Sequence, residues 1–448
     1  MVRLLPQEFT PPEDRGALLV TVKGPEGASF EYTRRYMREI EKDLQVYTQN
    51  GEASTLIVRT PGGFGVTEEF NTGRAIMVLS GWDKRKRSGL DIVPELRQRL
   101  QKHPGVRVNA FMRGGLVQRG DQPVNFVIGA SEYSVLAKAR DVLLEKARNN
   151  PGLTSIDSDY AETKPQLLVD INGVRAAELG VSAEVIGRTL ETLLGSREVT
   201  TYIDQGEEYN VILQAKVDNR LQPTDLTNIF VRSATSNTLI PLSNVVTLKE
   251  RADAATLPRY NKVRSVTITA SLTAGYSLGD ALAFLERTVR EELPEIATVD
   301  YKGESLEFKQ TGQSLVFVLG LALVIIFLIL AAQFESFIHP LIIILTVPLA
   351  VSGAALALLI SGGSINIFSQ VGILILIGIA AKNGILIVEF ANQLRDEGMS
   401  VDEAILEASQ DRLRPILMTS IATAAGAVPL ALAHGAGAET RAVIGLVV

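Results

Sequence analysis

The chain contains no cysteine, which removes a disulfide framework, a zinc site of the CxxC type and a thiol nucleophile from consideration. Histidine is scarce as well: His103, His339 and His434 are too few and too scattered for a histidine metal cage. There is no excess of positive charge, with 44 Lys+Arg against 50 Asp+Glu. A protein with no basic field to neutralise phosphates does not have nucleic acid as its main partner. On averages alone, 448 residues at 46% hydrophobic describe a mildly acidic soluble protein. Charge, however, is missing from one region. Residues 1–309 hold 39 Lys+Arg and 41 Asp+Glu, whereas 310–448 hold 5 and 9.

Within the poorly charged region, Gln310–Phe334 carries no charge, and Leu315–Ala332 is apolar apart from glycine. Ser336–Ala381 is again uncharged and is too long for one span of about 20 residues. It breaks at Ser361–Asn366, which predicts helices over Pro340–Ile360 and Phe368–Phe390. A fourth is expected from Pro415 to about Ala433, with Pro415 in its first turn where a missing N–H costs nothing. A fifth apolar run, Ala442–Val448, stops after seven residues. Uncharged runs of this length exceed what soluble cores use, so this region is a membrane bundle.

The expected loop 391–414 carries Arg395, Arg412 and Arg414, while 361–367 carries no Lys or Arg and 434–441 only Arg441. The positive-inside rule puts 391–414 in the cytoplasm and, by alternation, residues 1–309 outside. The stretch Met1–Pro6 has no apolar h-region and is no signal peptide. An exported region without an export signal implies an upstream transmembrane helix, and the half-length last run points the same way. The expectation is a fragment cut at both ends.

Residues 1–309 show a repeated βαβ grammar. Strands are expected at Gly16–Val22, Ala53–Thr60, Gly73–Leu79 and Val106–Ala110, with helices at Ser29–Gln49 and Leu90–Gln101. The order β-α-β-β-α-β is the ferredoxin-like split unit. A second copy starts with strand Pro123–Gly129, helix Glu132–Asn149 and strand Leu153–Asp159. It resumes with strand Val263–Ser271, helix Ser277–Glu292 and strand Thr298–Lys302. Between its halves, roughly 164–257 forms an insertion with strands Leu167–Ile171 and Tyr209–Gln214 and a helix near Ala183–Leu194. Neither copy shows the aromatic run with which such sheets bind RNA.

Lys382 is the only cation inside an expected span, near the middle of Phe368–Phe390. A mid-membrane lysine costs about 2.5–3.5 kcal/mol on insertion scales, so it faces the bundle interior and needs an acid. Glu389 shares its face but lies near the interface, and no Asp or Glu occurs in the other complete spans. The partner acid must therefore come from outside this chain. Thr419 is placed to hydrogen-bond within the bundle or to its own helix backbone, and the arginines before it read as positive-inside anchors.

The run Gly378-Ile-Ala-Ala-Lys-Asn-Gly-Ile-Leu-Ile-Val-Glu-Phe-Ala391, followed by Arg412-Leu-Arg-Pro-Ile-Leu-Met-Thr-Ser420, resembles the C-terminal half of a resistance–nodulation–division (RND) efflux pump, hydrophobe/amphiphile branch. Leu5–Pro11, Asn71-Thr72-Gly73, Arg259-Tyr260-Asn261 and Ala332–Ser336 match in order, so the resemblance covers essentially the whole chain. It implies a homotrimer in the inner membrane of a Gram-negative bacterium, driven by the proton-motive force without a cofactor. It also implies a periplasmic adaptor, an outer-membrane channel and an N-terminal half that supplies the acids paired with Lys382. Arg412 and Thr419 then belong to the same proton relay. The fold implied is a membrane α-helical bundle plus an α+β periplasmic region. Residues 1–114 would be one porter subdomain, 115–163 with 258–305 the second, 164–257 the docking insertion, and 306–448 the transmembrane bundle.

By the same resemblance, Gly62, Gly63, Phe64 and Gly65 lie in a switch loop between substrate pockets, equally readable as a plain hairpin connection. Ile76 and Val78 fall on a strand that often supplies aromatics to the deep pocket, and aliphatic residues there put aromatic drugs in question. Two alternatives have discriminators. A heavy-metal RND exporter requires a methionine cluster in the cleft, for which only Met77 and Met112 qualify. A SecDF-like protein-translocation motor lacks the lysine and Arg-Pro signature. No part of the reading requires an enzyme.

Overall fold

The computed structural model describes residues 5–63, 69–116, 122–273 and 275–448, with the side chains of 313–316 excepted. The chain forms two compact units, Ala161–Ala255 and the remainder.

The larger unit begins with a four-stranded antiparallel sheet. Its elements in chain order are β1 (Ala17–Lys23), α1 (Phe30–Gln49), β2 (Ala53–Arg59), β3 (Thr72–Leu79), α2 (Gly89–Leu100) and β4 (Arg107–Met112). The strands lie in the order β2-β3-β1-β4, so the chain's first strand is central. The Ser29 hydroxyl caps α1 by accepting from the Tyr32 N–H, and Ser88 with Asp91 forms a capping box on α2. Met37, Ile40, Leu44 and Tyr47 recur at helical spacing along α1 and are buried against the sheet with Ile92 and Leu96 of α2. Strand alternation decides the other half of this core. Leu18 pairs with Met77 on one side and Met112 on the other, and this row faces the helices. The neighbouring row, Ile57–Ile76–Leu19–Phe111, falls on the opposite face.

A second sheet follows, starting with β5 (Val124–Gly129), α3 (Tyr133–Arg148) and β6 (Leu153–Ser158). The chain then leaves for the smaller unit. That unit holds β7 (Lys164–Ile171), α4 (Gly173–Glu178), α5 (Ala183–Leu194), β8 (Arg197–Asp204), β9 (Glu207–Leu213), β10 (Phe230–Arg232), β11 (Leu239–Pro241) and β12 (Val246–Asp253). Its core gathers Ile186, Leu226, Val231, Leu242 and Val245. The β8–β9 hairpin turns through Gln205 and Gly206 at φ 51° and 87°, the paired positive values that a two-residue hairpin of matching twist requires.

Back in the larger unit, β13 (Arg259–Tyr260), β14 (Val263–Leu272), α6 (Leu278–Glu292) and β15 (Thr298–Tyr301) complete the second sheet. Its order is β6-β14-β5-β15, with β13 also beside β14. The opening strand is again central.

Six helices follow: α7 (Gly303–Phe334), α8 (Ile338–Ile344), α9 (Val347–Ser361), α10 (Ile367–Asp396), α11 (Val401–Ala431) and α12 (Ala438–Val447). Among the described residues four stretches, with α8 and α9 taken together, are long and apolar enough to cross a membrane. Many of their large side chains face outward, as at Leu341, Leu349 and Ile360, which suits lipid or partner helices rather than water.

The structure corrects several sequence expectations here. The second expected span is interrupted at Leu345–Thr346, because Pro348 has no N–H to offer the carbonyl of Ile344. Pro415 is not in a first turn. The helix starts fourteen residues earlier, where Ser400 caps it and Asp402 and Glu403 favour its positive end, and both Pro415 and Pro429 lie inside it. The expected cytoplasmic loop shrinks to residues 397–400, and Arg395, Arg412 and Arg414 are helical. The last helix begins at Ala438 rather than Ala442, after Gly437 at φ 66°.

Candidate functional site

A cavity of about 520 Å³ lies between the two sheets of the larger unit, a size suited to a drug-sized ligand. Alternation along β1, β3 and β4 turns Thr21, Lys23, Arg74, Arg107 and Asn109 toward it, and Asp157 comes from β6 opposite. Ile156 adds an apolar side chain, while Val22 and Val108 border the cavity with their side chains turned into the helix-covered core. Across the cleft, the Asn109 amide donates to the Ser271 hydroxyl at 3.1 Å, with both residues buried. Lys23 Nζ reaches Asp157 Oδ2 at 3.1 Å and the Arg107 guanidinium takes Asp157 Oδ1.

Gly62 and Gly63 line this cavity. The Gly62 N–H donates to the Thr72 carbonyl at 3.1 Å, closing the base of the connection between β2 and β3. A Cβ on Gly62 would stand 2.7 Å from the carbonyl carbon of Gly73, so glycine is needed here for close backbone approach. Phe64 and Gly65 lie outside the described residues. Ile76 and Val78 point to the same face of the sheet as Arg74 but are not among the residues lining the cavity. Met77 and Met112 are not in the cleft, contrary to the position that a metal exporter requires. The Leu18 register turns both into the core beneath α1 and α2.

The segment preceding β1 is a strap between sheets and membrane helices. Gln7 bridges to Ile365, with Glu8 N–H donating to Ile365 O at 3.0 Å and Ile365 N–H to Pro6 O at 2.8 Å. The Gly279 N–H at the start of α6 donates to Gln7 O at 3.0 Å. Glu8 accepts from the Ser364 hydroxyl at 2.7 Å; burial raises its pKa and that bond offsets part of the rise. Further on, Gly437 N–H donates to Asp14 O at 3.4 Å, and Glu13 accepts from Gly115 N–H at 2.9 Å. The strap thus touches the α9–α10 and α11–α12 connections and both sheets.

Within the helices, Lys382 stands in the middle of α10 and makes no ion pair or hydrogen bond among the described residues. Arg412 lies on the facing helix with its guanidinium 4.3 Å from the Phe390 ring centroid, and its Nε is buried without a partner. Thr419, one turn past Pro415, donates to Ile416 O at 3.1 Å. No direct bond joins Lys382, Arg412 and Thr419. The cleft cations Lys23 and Arg107 were not singled out from sequence. Their period-2 alternation with Val22 and Val108 was the available signal.

The family model described as AcrB/AcrD/AcrF matches residues 1–448. The chain belongs to that family. Its relatives include the toluene efflux pump membrane transporter TtgB of Pseudomonas putida, 34% identical over 98% of this chain and 42% of that protein. The multidrug export protein AcrF of Escherichia coli is 33% identical over 99% of the chain and 43% of its own length. An uncharacterised transporter of Haemophilus influenzae is 34% identical over 99% and 43%. The chain therefore spans less than half the length of these relatives. TtgB and AcrF are RND efflux transporters, not enzymes.

Proposed function

We propose that this chain is the C-terminal half of a proton-driven RND exporter, moving amphiphilic drugs or small hydrophobic compounds out of the cell by drug/proton antiport. The observation that carries the reading is Lys382, a cation in the centre of a long apolar helix with no acid to pair with among the described residues. A lysine at that depth needs a carboxylate, and helices supplied by an N-terminal half are its natural source. When those acids take up protons the lysine is released, and the bundle shifts between two arrangements. Arg412 and Thr419 sit on α11, which packs along α10, and serve the same relay.

The two sheets with shared strand order are read as ferredoxin-like porter subdomains, and their cleft as the substrate path. The smaller unit is read as the docking insertion that faces an outer-membrane channel, with a periplasmic adaptor outside. The whole works as a homotrimer in the inner membrane, with residues 1–309 in the periplasm and no cofactor beyond the proton-motive force. The names of the relatives support export of solvents and drugs. The burial of Met77 and Met112 in the helix-covered core speaks against a metal-exporting version.

The test is Lys382→Ala in the complete pump, reconstituted in vesicles with an imposed proton gradient. Export is expected to fall to background while assembly is retained. Undiminished gradient-driven export by that variant overturns the relay.

A further inference from the structure

We propose that Lys23, Arg107 and Asp157 form a charge latch across the cleft, and that the acidic group of an anionic amphiphile opens it by taking the place of Asp157. The inference rests on the cleft being the substrate path and names the class of substrate that path favours. Two cations project from one subdomain, Lys23 from β1 and Arg107 from β4, and both converge on the single carboxylate that β6 of the other supplies. Lys23 Nζ also approaches the Ser158 carbonyl at 3.4 Å, and Glu26 at 3.8 Å on its own subdomain. Glu26 moves with Lys23 when the cleft opens, whereas Asp157 does not.

The asymmetry sets the preference. A carboxylate, sulfonate or phosphate entering the cleft keeps both cations paired, and it frees only Asp157, which is 27% exposed and can be hydrated. A cationic ligand bound to Asp157 instead leaves Lys23 and Arg107 facing each other without their shared counter-ion. The ion pairs are partly exposed, with Arg107 70% and Lys23 31% accessible, so they are weak enough to exchange. Ile156 beside them offers an apolar contact for the body of an amphiphile.

The absence of native cysteine allows labels at two chosen sites only. Val46→Cys on α1 and Glu145→Cys on α3 place a spin label on each subdomain of the full chain in nanodiscs of zwitterionic lipid. Cholate is the anionic probe and tetraphenylphosphonium the cationic one. Cholate is expected to lengthen the label-to-label distance and tetraphenylphosphonium to leave it unchanged. Asp157→Asn should show the longer distance without any probe. The pair Lys23→Gln with Arg107→Gln should weaken cholate binding by about tenfold or more, the scale of one lost charge-assisted hydrogen bond. Equal opening by both probes overturns the anion preference and leaves the substrate path standing. Unchanged distance in Asp157→Asn overturns the latch. If neither probe binds, the reading of the cleft as a substrate path fails, and the latch's ligand with it.

Discussion

Arg85 Nη1 lies 2.8 Å from Asp14 Oδ2, and the two side chains are 1% and 0% exposed. The carboxylate also accepts from the Ser88 hydroxyl and the Gly89 N–H at the start of α2, and from Gly16 N–H. Burial alone would raise its pKa, but these donors, Arg85 first, hold it below the ordinary 3.8. Asp14→Asn leaves Arg85 buried without its counter-ion and should cost about 3–5 kcal/mol, seen as a large drop in melting temperature. Adding Arg85→Met should recover much of it. The sign with pH follows from the depressed value: the stabilisation is full above 3.8 and is lost only as pH falls through the lower folded value. A variant that melts with wild type disproves the buried pair.

Glu8 carries the opposite sign. Its pKa is raised above 4.5 by burial, so its favourable contribution is complete below 4.5 and disappears as pH rises through the folded value. Glu8→Gln should flatten the melting temperature between that point and neutrality, relative to wild type. Parallel curves for the two proteins over pH 4–8 rule this out.

Gly62→Ala forces a methyl against the Gly73 backbone, which cannot move aside as a side chain could. A loss of about 1–3 kcal/mol is expected from thermal unfolding, typical of overpacking. Gly173→Ala, where an added Cβ meets nothing within 4 Å, is the control and should be near neutral.

Gly445 lets α12 lie against α11: a Cβ there would be 2.5 Å from Ala431 N and 2.9 Å from Ala427 O. Gly445→Val should prise α12 away. Arg441, now held by the His434 and Ala436 carbonyls, would become open to trypsin. Limited proteolysis at Arg441 that is no faster than in wild type counts against this packing.

What could be read from sequence tracked burial. Helix α1 announced itself because Ser29 caps it and its apolar residues recur every three or four positions. Burial is not the whole of it: β8 and its hairpin partner β9 are both almost wholly exposed, yet the sequence predicts a strand at Tyr209–Gln214 and none at β8. Pro415 misled for a local reason. Proline suits a first turn, but the cap at Ser400 and a fourteen-residue run rich in good helix formers, Val401–Arg414, carry the helix across it. At the candidate site, Lys382 was conspicuous as one charge in an apolar run. Lys23 and Arg107 were hidden among the many charges of residues 1–309, and only the pairing of β1, β4 and β6 with their neighbours brings them to one carboxylate.

Helix α7 has a mechanical meaning beyond its length. Its first turn is grafted into the second sheet, where the Ser305 hydroxyl donates to Pro123 O at 2.8 Å and accepts from Asn125 N–H at 2.9 Å. The first sheet is continuous with the strap, which is tied to the α9–α10 and α11–α12 connections as well as to the start of α6. Of the two jaws of the cleft, only the second runs directly into α7. At 32 residues α7 is a stiff rod about 48 Å long, and a tilt of about 5° carries its end by about 4 Å. A displacement of that size is more than a 3.1 Å contact such as Lys23–Asp157 tolerates, so the latch reads small changes in the tilt of one rod.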